Sequence, residues 1–433
     1  MLVLFALLAF VLLMVYVIAA YQSRSPQVLY EQLFENARDF LYDPDKLPDW
    51  EQWNSAYTRT KGNALAAANE MFKPLNDPYT IVVGPELQDG GIEFECAHCV
   101  GVGILIATAY ENNTEESCRV QSERTGVSCK YPTIVSVIYN SPAAHAHLRA
   151  GDSITKINDW PTAGESIASV LKRMHGNNRS KITLTVERDG IATDHELNRQ
   201  FINAPSCYSR MLDDDIGYLR ISNFNFWSES YAVGQAETLA KARAIVVDVR
   251  DNPGGEVFKG IRLAALFIRE GHIVTTHVRI PGTKEYVWTT YSFKKGELVE
   301  DVEGVVRDTM TGNLPAPMFA GKPIIVLTNE NTASAAELFT GALRDTGQAV
   351  VLGGKTFGKG VMQSILGFPR SVVLRVTSGK YYLPSGFWPG DGARYRNGIE
   401  PDITIPPQSR LFDFGSDQDK QLAAAVRHLS EKL

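Results

Sequence analysis

Three short blocks of this sequence hold residues whose types and spacing could do acyl-transfer chemistry. The first is Arg250-Asp251-Asn252-Pro253-Gly254-Gly255, which follows an apolar run ending Val246-Val247-Asp248-Val249. A proline followed by two glycines lets the chain turn sharply and present backbone N–H groups, the donors that an oxyanion hole needs. Alone, the block reads more simply as an ordinary strand-to-helix turn. The second block runs Asn331-Thr332-Ala333-Ser334-Ala335-Ala336-Glu337, after the apolar run Pro323 to Leu327, and Leu338, Phe339, Ala342 and Leu343 continue it at helical spacing. Ser334 therefore sits at or near a helix N-terminus, where a lone serine is most often a plain cap. The third is Thr356-Phe357-Gly358-Lys359-Gly360-Val361-Met362-Gln363. A lysine between two glycines in an apolar setting can be desolvated, which lowers an ammonium pKa toward the range of a general base; by itself the tetrapeptide reads as a solvated loop.

Conjunction shifts these readings. The Gly254-Gly255 turn, Ser334, Lys359 twenty-five residues later and Gln363 one helical turn beyond it occur in one chain. A serine hydroxyl is a poor nucleophile until a base takes its proton, and a neutral lysine can do so in place of histidine. The eight histidines form no HExxH pair and no GxSxG elbow occurs, so zinc-peptidase and α/β-hydrolase readings lack their motifs. Ser169-x-x-Lys172 and Ser292-x-x-Lys295 imitate a penicillin-binding signature without its companion motifs, and are taken as chance.

The elements that position these residues need a long chain. Its 433 residues, 44% hydrophobic and 21% charged, correspond to roughly three folding units and exclude a disordered or low-complexity protein. With 43 basic and 49 acidic side chains the net charge is −6, which leaves no electrostatic footprint for nucleic acid. Met1 to Ala20 is apolar without interruption and Arg24 is the first charge, so residues 1–22 are expected to be a signal anchor, or a signal peptide cleaved near Val17, Ile18 and Ala19. Helical spacing of Leu29, Leu33 and Ala37, then of Leu65, Ala68 and Met71, predicts a helical region over 23–84, ended by the turn Asn76-Asp77-Pro78-Tyr79-Thr80. From about 201 to 410, apolar runs such as Ala244 to Val249 and Ile324 to Leu327 alternate with helical segments, the pattern of an α/β core with doubly buried strands. Residues 411–433 close on an amphipathic helix.

Between these lies a β-rich stretch, 85–200. The glycine-flanked strand start Gly101-Val102-Gly103-Ile104, then Ser141-Pro142-Ala143, a helix-like Ala143 to Leu148, the turn before Ile154 and the alternating strand Ile182, Leu184, Val186 together look like a PDZ domain. Bare glycines before a strand leave N–H groups free for a peptide carboxylate, and the strand edge accepts the peptide as an added strand. Four of the five cysteines crowd this stretch. Cys118 and Cys129 are expected to close a loop by a disulfide; Cys96 and Cys99 flank His98 as a disulfide, free thiols or a metal pair, although a closed zinc site wants four ligands; Cys207 stands apart.

The whole resembles the C-terminal processing peptidases, or tail-specific proteases, serine peptidases with an embedded PDZ domain. The resemblance runs from Asn76-Asp77-Pro78-Tyr79-Thr80 to Asn397-Gly398-Ile399-Glu400-Pro401-Asp402 and is most specific around Ser334 and Lys359. It implies an α/β multidomain protein with a helical N-terminal region, an inserted PDZ domain and a peptidase core of the ClpP/crotonase-like type. It further implies Ser334 as nucleophile, Lys359 as general base, Gln363 as the residue orienting the lysine, and an oxyanion hole from the backbone of Gly254, Gly255 and Ala335. The sequence departs from the pattern at Ala336, where many members carry serine, and in the insertion from Ala109 to Pro132. Expected partners are proteins or peptides with exposed C-terminal tails, the membrane through the N-terminal segment, and an adaptor or activator; no cofactor and no metal is called for. The rival expectation is a PDZ binding or chaperone-like protein on an inactive peptidase fold.

Overall fold

The computed structural model describes residues 25–84, 100–107, 127–138, 140–202, 206–212, 215–308, 314–390, 397–406 and 414–433. The expected anchor and Cys96, Cys99 and Cys118 lie outside these residues. No described helix is long and apolar enough to cross a membrane.

Apolar residues three and four apart build helices Pro26–Phe40, Trp50–Arg59 and Ala64–Phe72. The second and third begin where Asp49 and Asn63 accept the amides of Gln52 and Ala66, each cap being worth about 1 kcal/mol. Leu33, Ala37, Trp53, Ala68 and Met71 are buried, but not among themselves alone: they pack with Val82, Val372, Leu374 and Val376. The helical region is thus fastened to one face of a sheet, each large apolar side chain contributing about 1.5–3 kcal/mol.

That sheet is antiparallel and was not foreseen from the sequence. Its path is Ile81–Val83, Val372–Tyr382, Gly271–Arg279, Tyr286–Lys294, Glu297–Val302 and Val305–Asp308, with Val361–Phe368 also paired to Val372–Tyr382. Threonine, histidine, serine and lysine interrupt the apolar residues of Gly271–Arg279 and Tyr286–Lys294, so no continuous apolar run marks them.

The second sheet matches expectation. Strands Ile216–Ile221, Ala244–Asp248, Ile324–Thr328, Val350–Gly353 and Ile403–Thr404 run parallel in that order, with Cys207–Met211 antiparallel at one edge. Every residue of the first three is buried. Alternate side chains meet opposite covers: Leu219, Val247 and Val326 pack with the helices Val257–Ala264 and Ala335–Asp345, whereas Tyr218, Val246 and Leu327 pack with Leu422, Ala425 and Leu429 of helix Lys420–Ser430. Both faces being covered, the strands read as unbroken apolar runs.

The β-rich stretch forms a separate antiparallel sheet, Ile104–Ala107, Thr133–Val137, Ser153–Ile157, Lys181–Arg188 and Ile191–Asn198, flanked by helix Ile167–Met174. Val102, Ile134, Ile154, Val170 and Leu184 form its core. The expected helix from Ala143 to Leu148 is shorter and earlier, Pro142–His145, because Ser141 caps it and His147 adopts a positive φ that ends it. Val100–Gly101 pairs with Gln200–Phe201, closing the unit on itself.

Candidate active site

Each chemical block leaves a different element and all converge on one point. At the end of strand Ala244–Asp248, Asn252 is fully buried; its Nδ2 donates to the Ile221 carbonyl at 3.0 Å and its Oδ1 accepts the Gly254 amide at 2.9 Å. This side-chain-to-backbone bond shapes the turn that follows. Gly254 and Gly255 have φ of +99° and +138°. A Cβ on Gly254 would lie 2.7 Å from Ser334 Cβ, and one on Gly255 would collide with the Phe224 carbonyl, so both conformation and space require glycine there.

Ser334 lies immediately before helix Ala335–Asp345 with φ 56° and ψ −121°. An ordinary N-cap residue is extended; a non-glycine residue held at positive φ stores strain, a feature that clusters at functional sites. The reading of Ser334 as a plain cap is therefore insufficient. Of the three expected oxyanion donors, the Gly254 amide is a correction, because Asn252 takes it. The amides of Gly255 and Ala335 donate to no group among the described residues.

Lys359 follows Gly358 in the segment entering strand Val361–Phe368. Its Nζ donates to Gln363 Oε1 at 2.6 Å and lies 5.1 Å from the centre of the Tyr79 ring. Burial, aided by Arg375, pushes its pKa down from 10.5 to about 8, against the pull of Asp77 and Glu337. No hydrogen bond joins Nζ to the Ser334 hydroxyl in this structure. Gln363 is on a strand, not a helical turn beyond the lysine as expected. Lys359 precedes that strand and the register shifts between Met362 and Gln363, so an irregular stretch, not a repeating period, brings the two side chains together.

Glu337 was missed in the sequence. Its carboxylate is fully buried and forms no salt bridge among the described residues, yet it accepts four bonds: Oε1 from Thr356 Oγ1 at 2.5 Å and the Gly358 amide at 2.7 Å, Oε2 from the amides of Ser334 at 2.9 Å and Lys359 at 2.8 Å. Burial raises its pKa and those four bonds oppose the rise. The Tyr381 hydroxyl lies 3.0 Å from the Ser334 carbonyl oxygen and 2.9 Å from that of Lys359, adding a second bridge. Burial holds its phenol well above the usual range, so it remains a neutral donor. A glutamate three residues after a serine at a helix start was the available signal, being the sequence form of a capping box.

Beneath the turn, Arg250 bonds Asp248, Asp419 and Gln421 and is fully buried with both aspartates. Asp419 is also the cap of the C-terminal helix, accepting the Leu422 amide at 3.0 Å. The end of the chain is thereby tied to the strand that delivers the Gly254-Gly255 turn.

In the β-rich unit, strand Ile104–Ala107 stands at the end of the sheet, paired on one side only among the described residues. Carbonyls of Val102 and Gly103 accept from Ala143 and Ile138 at 2.9 Å each, while the amides of Val102 and Gly103 donate to no group among the described residues. The Val102 side chain is buried in the domain core, so its contribution to a peptide groove is limited to its backbone. Gly103, at φ +81°, sits against Ser141 with no room for a Cβ. Cys129 is disulfide-bonded; because Cys207 is free and buried, the partner of Cys129 lies outside the described residues. No cluster of three metal-ligating side chains occurs among the described residues.

This fold and site define a class: residues 215–405 match the model of peptidase family S41 and residues 133–188 that of the PDZ domain, and the chain is a serine peptidase that carries an S41 peptidase domain and a PDZ domain. Within that class it is similar to the C-terminal processing peptidases. It is 28% identical over 388 residues to a probable CtpA-like serine protease of Staphylococcus aureus, covering 85% of this chain and 68% of that one. It is 32% identical over 280 residues to a carboxy-terminal-processing protease of Bartonella bacilliformis, covering 63% and 58%. Among solved structures, the photosystem II D1 C-terminal processing protease superposes with a TM-score of 0.51 at 21% identity over 88% of this chain and 93% of that one. A putative S41 protease from Bacteroides fragilis superposes at 0.57 and 15% identity over 93% and 97%. At these identities the two structures speak for the fold alone.

Proposed function

We propose that the chain captures C-terminal tails of protein substrates in its PDZ domain and cuts them with Ser334 as nucleophile and Lys359 as general base. The observation that carries this reading is the joint clamp of the two blocks on one buried carboxylate: Glu337 fixes the backbone of both residues while burial brings the lysine toward its neutral form. The Gln363 bond occupies one Nζ donor and leaves a lone pair of the neutral amine free to take the serine proton. Rotation of the lysine side chain toward Ser334 on substrate binding completes the contact, as catalytic bonds often tighten only in the substrate complex. Attack on the scissile carbonyl gives a tetrahedral oxyanion, for which the amides of Gly255 and Ala335, without an acceptor among the described residues, are the donors. The lysine then passes its proton to the leaving amine, and water repeats the sequence on the acyl-enzyme.

The apolar run Met1 to Ala20 and the Cys129 disulfide support a place outside the cytoplasm, held at the membrane by the N-terminal segment. Free thiols at both Cys118 and Cys129 in protein from its native compartment would contradict it.

Incubating an unfolded protein with a free C-terminus, and following its mass, tests the catalytic reading. Wild-type protein should shorten it; Ser334→Ala should bind it without cutting. Turnover near the wild-type rate by Ser334→Ala would move the nucleophile elsewhere, and no cutting by either would favour an inactive binding protein.

A further inference from the structure

The turn Asp77-Pro78-Tyr79-Thr80 lies more than 250 residues before Lys359 in sequence and meets it in space. Asp77 builds the turn: Oδ1 accepts the Tyr79 amide at 2.9 Å and Oδ2 the Thr80 hydroxyl at 2.6 Å. Thr80 Oγ1 in turn accepts the Thr377 amide at 3.1 Å, which pins the turn to strand Val372–Tyr382. So held, Tyr79 offers two groups to the site. Its carbonyl accepts Gln363 Nε2 at 2.6 Å. An amide whose nitrogen is committed in this way must turn its oxygen the other way, and that oxygen is the one that accepts Lys359 Nζ. Its ring stands over the same Nζ.

We propose that this turn is a positioning element of the active site, in which the Tyr79 carbonyl fixes the facing of the Gln363 amide and the Tyr79 ring keeps water from the Lys359 amine. The proposal rests on Lys359 being the general base. The charged and titratable groups around Nζ are Asp77 on the turn itself, Glu337 at the start of the helix, Arg375 on the neighbouring strand, and the phenol of Tyr381 behind the Lys359 backbone. Asp77 and Glu337 favour the ammonium and Arg375 disfavours it; burial is the leading influence and lowers the pKa. The ring acts in both senses, since its face attracts a cation while its bulk excludes water. The ring, 5.1 Å from Nζ, is one of the groups that bury the amine, and the proposal assigns it the exclusion of water as its larger effect.

The test measures Lys359 directly. In the full chain, competitive labelling of Lys359 with an amine-reactive reagent across pH, read by mass spectrometry, gives its titration midpoint without reference to activity. Single-turnover cleavage across the same pH range gives the midpoint of the rate. Tyr79→Ala should move the labelling midpoint upward by about one unit, leaving about tenfold less neutral amine at pH 7, and the rate profile should follow. Tyr79→Phe, which keeps the ring and the carbonyl, should restore both. An unchanged or lowered labelling midpoint in Tyr79→Ala overturns the proposal. If the labelling midpoint rises and the rate profile stays, the turn covers the lysine as proposed but Lys359 is not the base.

Discussion

The backbone amides of Ser334 and Lys359, residues from a helix start and a strand entrance, donate to the same oxygen, Glu337 Oε2, at 2.9 and 2.8 Å. Their relative placement is therefore set through the main chain, and the two side chains need not touch for the pair to be held in register.

That arrangement makes Glu337 testable as a positioning residue. Glu337→Ala leaves four buried donors without an acceptor, each costing about 1–3 kcal/mol, and should unfold at a clearly lower temperature. Glu337→Gln keeps the shape but has one accepting oxygen, so one pair of donors faces an NH2 group. It should remain folded and bind tails while cutting on the order of 100-fold more slowly, the cost of a misplaced catalytic group. A wild-type rate in a folded Glu337→Gln protein would show that the clamp is dispensable.

The ionic cluster under the turn sets an acid limit to stability. Burial would raise the Asp248 carboxyl, but Arg250 and then Arg220 outweigh it and hold the pKa down at about 2. A depressed carboxylate stabilises the fold above its unfolded value near 3.8 and loses that contribution as pH falls toward 2. Urea unfolding between pH 2 and 6 should show the stability of wild type falling in this window, with a flatter limb in Asp248→Asn. Asp419→Ala breaks the same cluster from the C-terminal helix and leaves Arg250 underpaired, for an expected loss of about 3–5 kcal/mol. A loss below about 1 kcal/mol would mean that the helix is fastened elsewhere.

Tail recognition can be separated from chemistry. A peptide with a free C-terminal carboxylate should be cut faster at low concentration than its amidated twin, because the amides of Val102 and Gly103 are the carboxylate donors in the proposed groove. Gly103→Val, which drives a side chain into Ser141, should raise KM for tailed substrates and leave cleavage of a short tail-less reporter unchanged. Equal rates on the two peptides would remove the carboxylate from the account.

The doubly buried strands Ala244–Asp248 and Ile324–Thr328 and the helix after Ser334 were legible because continuous apolar runs and helical spacing survive translation into structure without context. Gly271–Arg279 and Tyr286–Lys294 were not, since threonines with histidine in the first and with serine and lysine in the second break up their apolar residues, leaving neither a continuous run nor a clean alternation. Gln363 meets Lys359 without the helical turn that its spacing suggests, because the strand entrance is irregular between Met362 and Gln363. Asn252 escaped notice because it works through a backbone amide, which leaves no pattern of residue types, and for Glu337 the serine-x-x-glutamate spacing signals a cap but not the bonds to Thr356, Gly358 and Lys359. Tyr79 escaped for another reason: its neighbourhood to Lys359 exists only after the helical region has docked on the antiparallel sheet.

The central claim is that a neutral Lys359 takes the proton of Ser334, and it is tested most directly by single-turnover cleavage with Lys359→Arg across a range of pH. Wild-type rate should rise as the lysine loses its proton, through a midpoint near its depressed pKa of about 8, and then level off. Arginine keeps the charge at every workable pH and cannot accept a proton, so the variant should be inactive throughout, like Lys359→Ala. Substantial cleavage by Lys359→Arg would mean that position 359 supplies only charge and that another group activates the serine.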